Sequence, residues 1–88
     1  MVTVLFVCLG NICRSPMAEA IFRQKVQQAG LESTIQVSSA ATSHWEVGGQ
    51  PHKGTRKILE QQGISYKGMR ATQIQPSDFK KYDYIIGM

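Results

Sequence analysis

Val2-Thr3-Val4-Leu5-Phe6-Val7-Cys8-Leu9-Gly10-Asn11-Ile12-Cys13-Arg14-Ser15-Pro16 reads as a strand, a tight loop and the start of a helix. Val2 to Val7 is an apolar, β-branched-rich run, the pattern of a strand buried on both faces of a parallel sheet. Ser15 suits a helix N-cap, and Pro16 suits the first helical position, where its missing N–H costs nothing. From there Ala18, Ile21, Phe22, Val26 and Ala29 keep helical spacing to a stop at Gly30.

Outward from this unit, Ile35 to Val37 predicts a short second strand leading into Ser38-Ser39-Ala40-Ala41-Thr42. Ser43 to Gly54 holds three glycines and Pro51 and reads as a loop. A second helix is expected from about Lys53 to Gln62, burying Ile58 and Leu59 and stopping at Gly63. Pro76 to Lys80 fits one helical turn, and Tyr82 to Met88 a third strand. The order β-α-β-α-β calls for right-handed crossovers and an α/β fold: three α/β/α layers around a parallel sheet, here cut to about three strands. Residues 1–88 are expected to be one domain, incomplete at its C-terminus. The open flank of the third strand predicts a homo-oligomer, formed by sheet extension or exchange of elements.

Composition narrows the class. Of the 88 residues 42% are hydrophobic and 18% charged, a globular balance. The formal charge of +4 favours anionic ligands, yet the ten Lys and Arg residues form no basic run, so nucleic acid is not the expected partner. No stretch approaches the roughly 20 apolar residues of a membrane span, and Met1 to Val7 lacks the basic start and cleavage site of an export signal. The expected setting is the cytoplasm, where thiols stay reduced. There Cys8 and Cys13, five positions apart, suggest reactivity rather than a structural staple.

The loop offers the parts of a thiol-based phosphoryl-transfer site. Cys8 ends the first strand, where open α/β sheets place ligands. The loop feeds a helix N-terminus, whose unpaired N–H groups and dipole favour an anion. Gly10 and Asn11 tolerate the left-handed backbone that curls amides inward around phosphate. Arg14 adds a planar, permanently charged fork for two oxygens. The same surroundings favour a thiolate at Cys8, the nucleophilic form.

Val7-Cys8-Leu9-Gly10-Asn11-Ile12-Cys13-Arg14-Ser15-Pro16 with Ala18-Glu19-Ala20 resembles the signature of the low-molecular-weight protein tyrosine phosphatases. The resemblance continues through Ser38 to Thr42, Trp45, Gly48 and Tyr82 to Ile86. It implies a parallel four-stranded fold in the family and a protein-tyrosine-phosphatase that works through a cysteinyl-phosphate. Cys8 would attack phosphotyrosine in a protein or a small aryl phosphate. Arg14 and the amides of Leu9, Gly10, Asn11, Ile12 and Cys13 would hold the phosphoryl oxygens, and inorganic phosphate or sulfate would occupy the same loop. Ser15 would donate to the Cys8 sulfur, while Asn11 and Ser39 brace the loop. Cys13 would serve as a reversible disulfide partner after oxidation, the plainer reading being a small buried residue at a helix start. Trp45 would wall the substrate cleft, or else cover core. No cofactor and no metal is implied.

The family's general acid is an aspartate in a downstream Asp-Pro loop, and no Asp-Pro pair occurs in this sequence. Slow turnover is therefore expected, and a non-catalytic oxyanion-binding fragment is the alternative. Arsenate reductases share the loop but need relay cysteines, and none follows Cys13. A phosphoarginine phosphatase would share the same first chemistry. Zinc is disfavoured by the spacing of Cys8, Cys13, His44 and His52 and by Arg14 beside them. A nucleotide loop fails because Thr55-Arg56 follow Gly54 where Lys-Ser/Thr is required. Glu19 and Glu60 read as solvated helix positions, and Tyr66, Tyr82 and Tyr84 as structural.

Overall fold

The computed structural model describes residues 1–88. Strand β1 (Val2–Cys8) leads through the loop into helix α1 (Arg14–Gln28), followed by strand β2 (Ile35–Ala41) and helix α2 (Lys53–Gln61). A single-turn helix α3 (Asp78–Lys81) precedes strand β3 (Tyr84–Gly87). All pairings are parallel, and the strand order β2-β1-β3 puts β1 at the centre. The α/β fold is thus present, with three strands and the expected crossover order.

Register fixes where chemistry can sit. β1 pairs with β2 from Val2 opposite Ile35 to Cys8 opposite Ala41. β3 pairs only with Val4 to Val7 of β1, so Cys8 lies at the C-terminal end of the central strand, beyond β3. Alternation along β1 serves two faces. Leu5 and Val7 join Ala40 in a cluster covered by Ile74, Tyr82 and Ile85. On the other face Phe6 meets Phe22 of α1 edge-on, ring centroids 5.9 Å apart. Leu59 anchors α2 with 0% exposure.

Several elements differ from their sequence expectation. β2 runs four residues past Val37 because Ser38 to Ala41 hydrogen-bond along Leu5 to Cys8, overriding the weak strand propensity of serine and alanine. α1 begins at Arg14, with Cys13 at the cap position and Ser15 and Pro16 inside the first turn. Ser15 makes no capping bond because its hydroxyl is committed to the Cys8 sulfur. Ala29 is exposed and Ile58 of α2 points to solvent, whereas Val26 and Leu59 are buried as expected. The stops at Gly30 and Gly63 hold, both with positive φ. β3 is shorter than Tyr82 to Met88, since Tyr82 caps α3 and Asp83 turns the chain. Its outer edge carries no partner strand, and Tyr84 and Ile86 are exposed on it.

Candidate active site

Cys8 is 6% exposed at the floor of the loop. Asn11 adopts φ 57°, the left-handed conformation, and this turns its backbone N–H back onto the Cys8 sulfur at 3.2 Å. Asparagine tolerates that conformation because its short polar side chain bonds locally. Gly10, expected to share it, does not; only Asn11 among the non-glycine residues has positive φ, and Gly10 is absent from the positive-φ glycines.

The loop's carbonyls are tied outward. The Cys8 and Leu9 carbonyls accept the Thr42 and Ser43 N–H groups at 2.9 and 3.1 Å, and Leu9 also accepts the Ser43 hydroxyl at 2.8 Å. The Ile12 carbonyl accepts the His52 N–H at 2.6 Å, and the Cys13 carbonyl accepts the Thr55 hydroxyl at 3.5 Å. A trans peptide carries its N–H opposite its carbonyl. The amides of Leu9, Gly10, Cys13 and Arg14 therefore face away from these partners, toward the loop interior. Arg14 stands exposed at the first position of α1, and its guanidinium enters no ion pair.

Behind the loop lies a directed hydrogen-bond network. The Asn11 side-chain amide donates to the Ser15 hydroxyl oxygen at 2.7 Å and to the Ser39 hydroxyl oxygen at 2.9 Å, while its carbonyl accepts the Thr72 N–H at 3.0 Å. Ser15 oxygen, already accepting, keeps its own proton for the Cys8 sulfur 2.9 Å away. Ser39 donates to Glu19 at 2.5 Å. Glu19 in turn pairs with Arg23, which also donates to the Val37 carbonyl at 2.9 Å. Burial alone would push the Cys8 thiol up. The Ser15 hydroxyl and the backbone amides of Ser15, Asn11 and Gly10 outweigh it, so the pKa lies below the ordinary cysteine value.

The sequence-predicted residues thus converge, with corrections. Leu9 is exposed and Ile12 half-buried on the loop. Cys13 is an exposed free thiol, not a buried filler, because its carbonyl rather than its side chain meets α2. Trp45 is 70% exposed and covers no core. It stands in the turn that holds Leu9, whose Glu46 lies beside Gly10. Glu19 is 9% exposed, not solvated, since it holds Ser39 and Arg23. His52 caps α2 by accepting the Gly54 N–H at 3.1 Å. The spacing Ser15-Glu19-Arg23, one α1 face at i, i+4, i+8, is the sequence signal for that buried acid.

Residues 3–88 match the low molecular weight phosphotyrosine protein phosphatase family. The chain is 54% identical over 88 residues to low molecular weight protein-tyrosine-phosphatase YfkJ of Bacillus subtilis, covering 100% of this chain and 56% of that protein. It is 53% identical over 88 residues to PtpA of Staphylococcus epidermidis, covering 100% of this chain and 55% of the relative. The crystal structure of YfkJ from Bacillus subtilis superposes with a TM-score of 0.99 at 55% identity, covering 100% of this chain and 55% of that one. The chain spans about half the length of the relatives it matches. With the Cys8–Arg14 loop and the parallel sheet in place, the chain belongs to the low molecular weight protein tyrosine phosphatase family.

Proposed function

We propose that this chain carries the nucleophilic half of a phosphotyrosine phosphatase reaction. The observation that carries the reading is the Cys8 sulfur, held at 3.2 Å from the Asn11 N–H and 2.9 Å from the Ser15 hydroxyl, with its pKa lowered. The thiolate attacks phosphorus, the bond to the aryl oxygen breaks, and the phosphoryl group rests on sulfur. Water then attacks phosphorus, the sulfur–phosphorus bond breaks, and Cys8 returns as thiolate with release of inorganic phosphate. The inward amides of Leu9, Gly10, Cys13 and Arg14, with the Arg14 guanidinium, stabilise charge on the equatorial oxygens of the transition state. Asn11 and Ile12 complete the loop wall, and inorganic phosphate or sulfate fits the same cup.

The substrate we infer is phosphotyrosine in a protein or a small aryl phosphate. Trp45, exposed on the loop's Leu9–Gly10 flank, supports an aryl ring over phosphoarginine. Cys13, exposed and free five residues from Cys8, supports the role of disulfide partner that traps an oxidised Cys8. Neither of the two aspartates stands at Cys8. Asp83 accepts the Thr3 N–H at 2.9 Å, at the opposite end of β1, and Asp78 is taken by the Gln75 N–H at 2.7 Å. A positioned acid that protonates the departing tyrosyl oxygen is worth a factor of about 10² to 10⁴, and an activated aryl ester does not need one.

Single-turnover assays with an activated aryl phosphate and with phosphotyrosine test this. The activated ester should phosphorylate Cys8 rapidly and phosphotyrosine slowly. Equal, brisk rates on both would reveal an acid on these 88 residues. Failure of either to modify Cys8 leaves only an oxyanion-binding loop.

A further inference from the structure

We propose that the first turns of α2 form a cationic rim that binds acidic side chains flanking the phosphotyrosine of a protein substrate. The inference rests on the phosphatase reading above and adds the substrate sequence class.

Position comes first. The N-terminus of α2 stands against the Ile12–Cys13 flank of the anion loop, joined to it by the His52 N–H and the Thr55 hydroxyl. Helix α1 starts from the same flank at Arg14. Lys53, Arg56 and Lys57 occupy positions one, four and five of α2, and with Glu60 they line an open depression of about 440 Å³.

This arrangement is unfavourable for α2 alone. Cations at a helix N-terminus oppose its dipole, and no acidic residue lies in the first turn to offset them. The chain's one ion pair is Arg23 with Glu19, so none of the three cations has a carboxylate partner. Glu60, the acid within their depression, accepts the Tyr66 hydroxyl instead and thereby raises the pKa of that phenol. Arg56 donates from Nη1 to Gln50 at 2.8 Å, and its buried Nε has no partner. A local cost without a local compensation marks a surface shaped for something outside the chain.

Charge complementarity names the occupant. Lys53 directly follows His52, which bonds the loop, and Arg56 and Lys57 continue from it along the outer face of α2, so Asp or Glu beside a loop-bound phosphotyrosine would meet cations that have no carboxylate partner. The other flank carries Glu46 beside Gly10, which disfavours acid there. Preference is therefore for acid on one side of the phosphotyrosine.

The test is protection of Cys8 from iodoacetamide, a neutral reagent that surface charge does not steer. Protectants are inorganic phosphate and two phosphotyrosine peptides differing only in flanking Glu or Lys. The protein is the native chain or its Lys53→Gln/Lys57→Gln variant, both positions exposed. The acidic peptide should protect at about five- to tenfold lower concentration than the basic one at low salt, with the gap narrowing as salt rises. In the variant the gap should shrink by about threefold while phosphate protection stays unchanged. Equal protection by both peptides, or a gap untouched in the variant, overturns this inference and leaves the phosphatase reading standing. No protection by phosphate or either peptide overturns both.

Discussion

The Glu19 carboxylate accepts the Ser39 hydroxyl at 2.5 Å, and that bond sets the direction of every hydrogen bond between it and the Cys8 sulfur. Ser39 spends its proton on Glu19, so it can only accept from Asn11. Asn11 gives its other amide proton to Ser15, and Ser15 is left with one proton, aimed at sulfur. Replacing Glu19 with alanine removes the partner of both Ser39 and Arg23. Stability should fall by about 1–3 kcal/mol, the cost of leaving buried polar groups unsatisfied. A urea midpoint unchanged in Glu19→Ala would contradict that role.

Ser15→Ala isolates the last bond of the chain. A hydrogen bond to a charged acceptor is worth about 1.5–3 kcal/mol. The sign follows from the lowered Cys8 pKa: losing a donor to the thiolate moves the pKa back up. The pH profile of Cys8 alkylation should therefore shift to higher pH in Ser15→Ala. An unshifted profile would mean that the backbone amides alone hold the anion.

Asn11 combines a backbone demand with a side-chain one, and two substitutions separate them. Asn11→Gly keeps the left-handed conformation and loses the bonds to Ser15, Ser39 and Thr72. Asn11→Ala loses those bonds and adds about 1–2 kcal/mol of steric cost at φ 57°. Thermal unfolding should rank native above glycine above alanine. Equal stability of the two variants would show that the left-handed backbone carries no strain here.

The free edge of β3 gives an expectation about assembly. Its N–H and C=O groups on one side have no partner strand, and Tyr84 and Ile86 are exposed along it. Light scattering behind size exclusion should show concentration-dependent association of the 88-residue chain. Ile86→Lys should reduce it, since an edge charge resists pairing. A native chain that stays monomeric across the concentration range would contradict this.

The strand, loop and helix from Val2 onward were legible because their signals are local: a β-branched run, then Gly30 closing a periodic segment. The meeting of Cys8 with Ser15 was legible for the same reason, since the loop is contiguous in sequence. What escaped depends on contacts across the sheet. Glu19 lies on a helix of ordinary polar residues, and only its meeting with Ser39, twenty residues away, makes it buried. Thr72 reaches Asn11 through its backbone N–H, which no side-chain pattern encodes. The start of α1 was misplaced because Ser15 and Pro16 fit a capping rule, while the Cys8 sulfur claimed the serine hydroxyl instead. Ser38 to Ala41 extend β2 through pairing with β1, against their own weak preference.

Alkylation of Cys8 by iodoacetamide as a function of pH, read by peptide mass mapping with and without inorganic phosphate, is the most direct measurement. The expected result is a thiolate that forms below the ordinary cysteine range of about 8.5, with its reaction suppressed when phosphate fills the loop. A Cys8 that titrates like a free thiol and reacts equally with and without phosphate would contradict the thiolate-and-anion site.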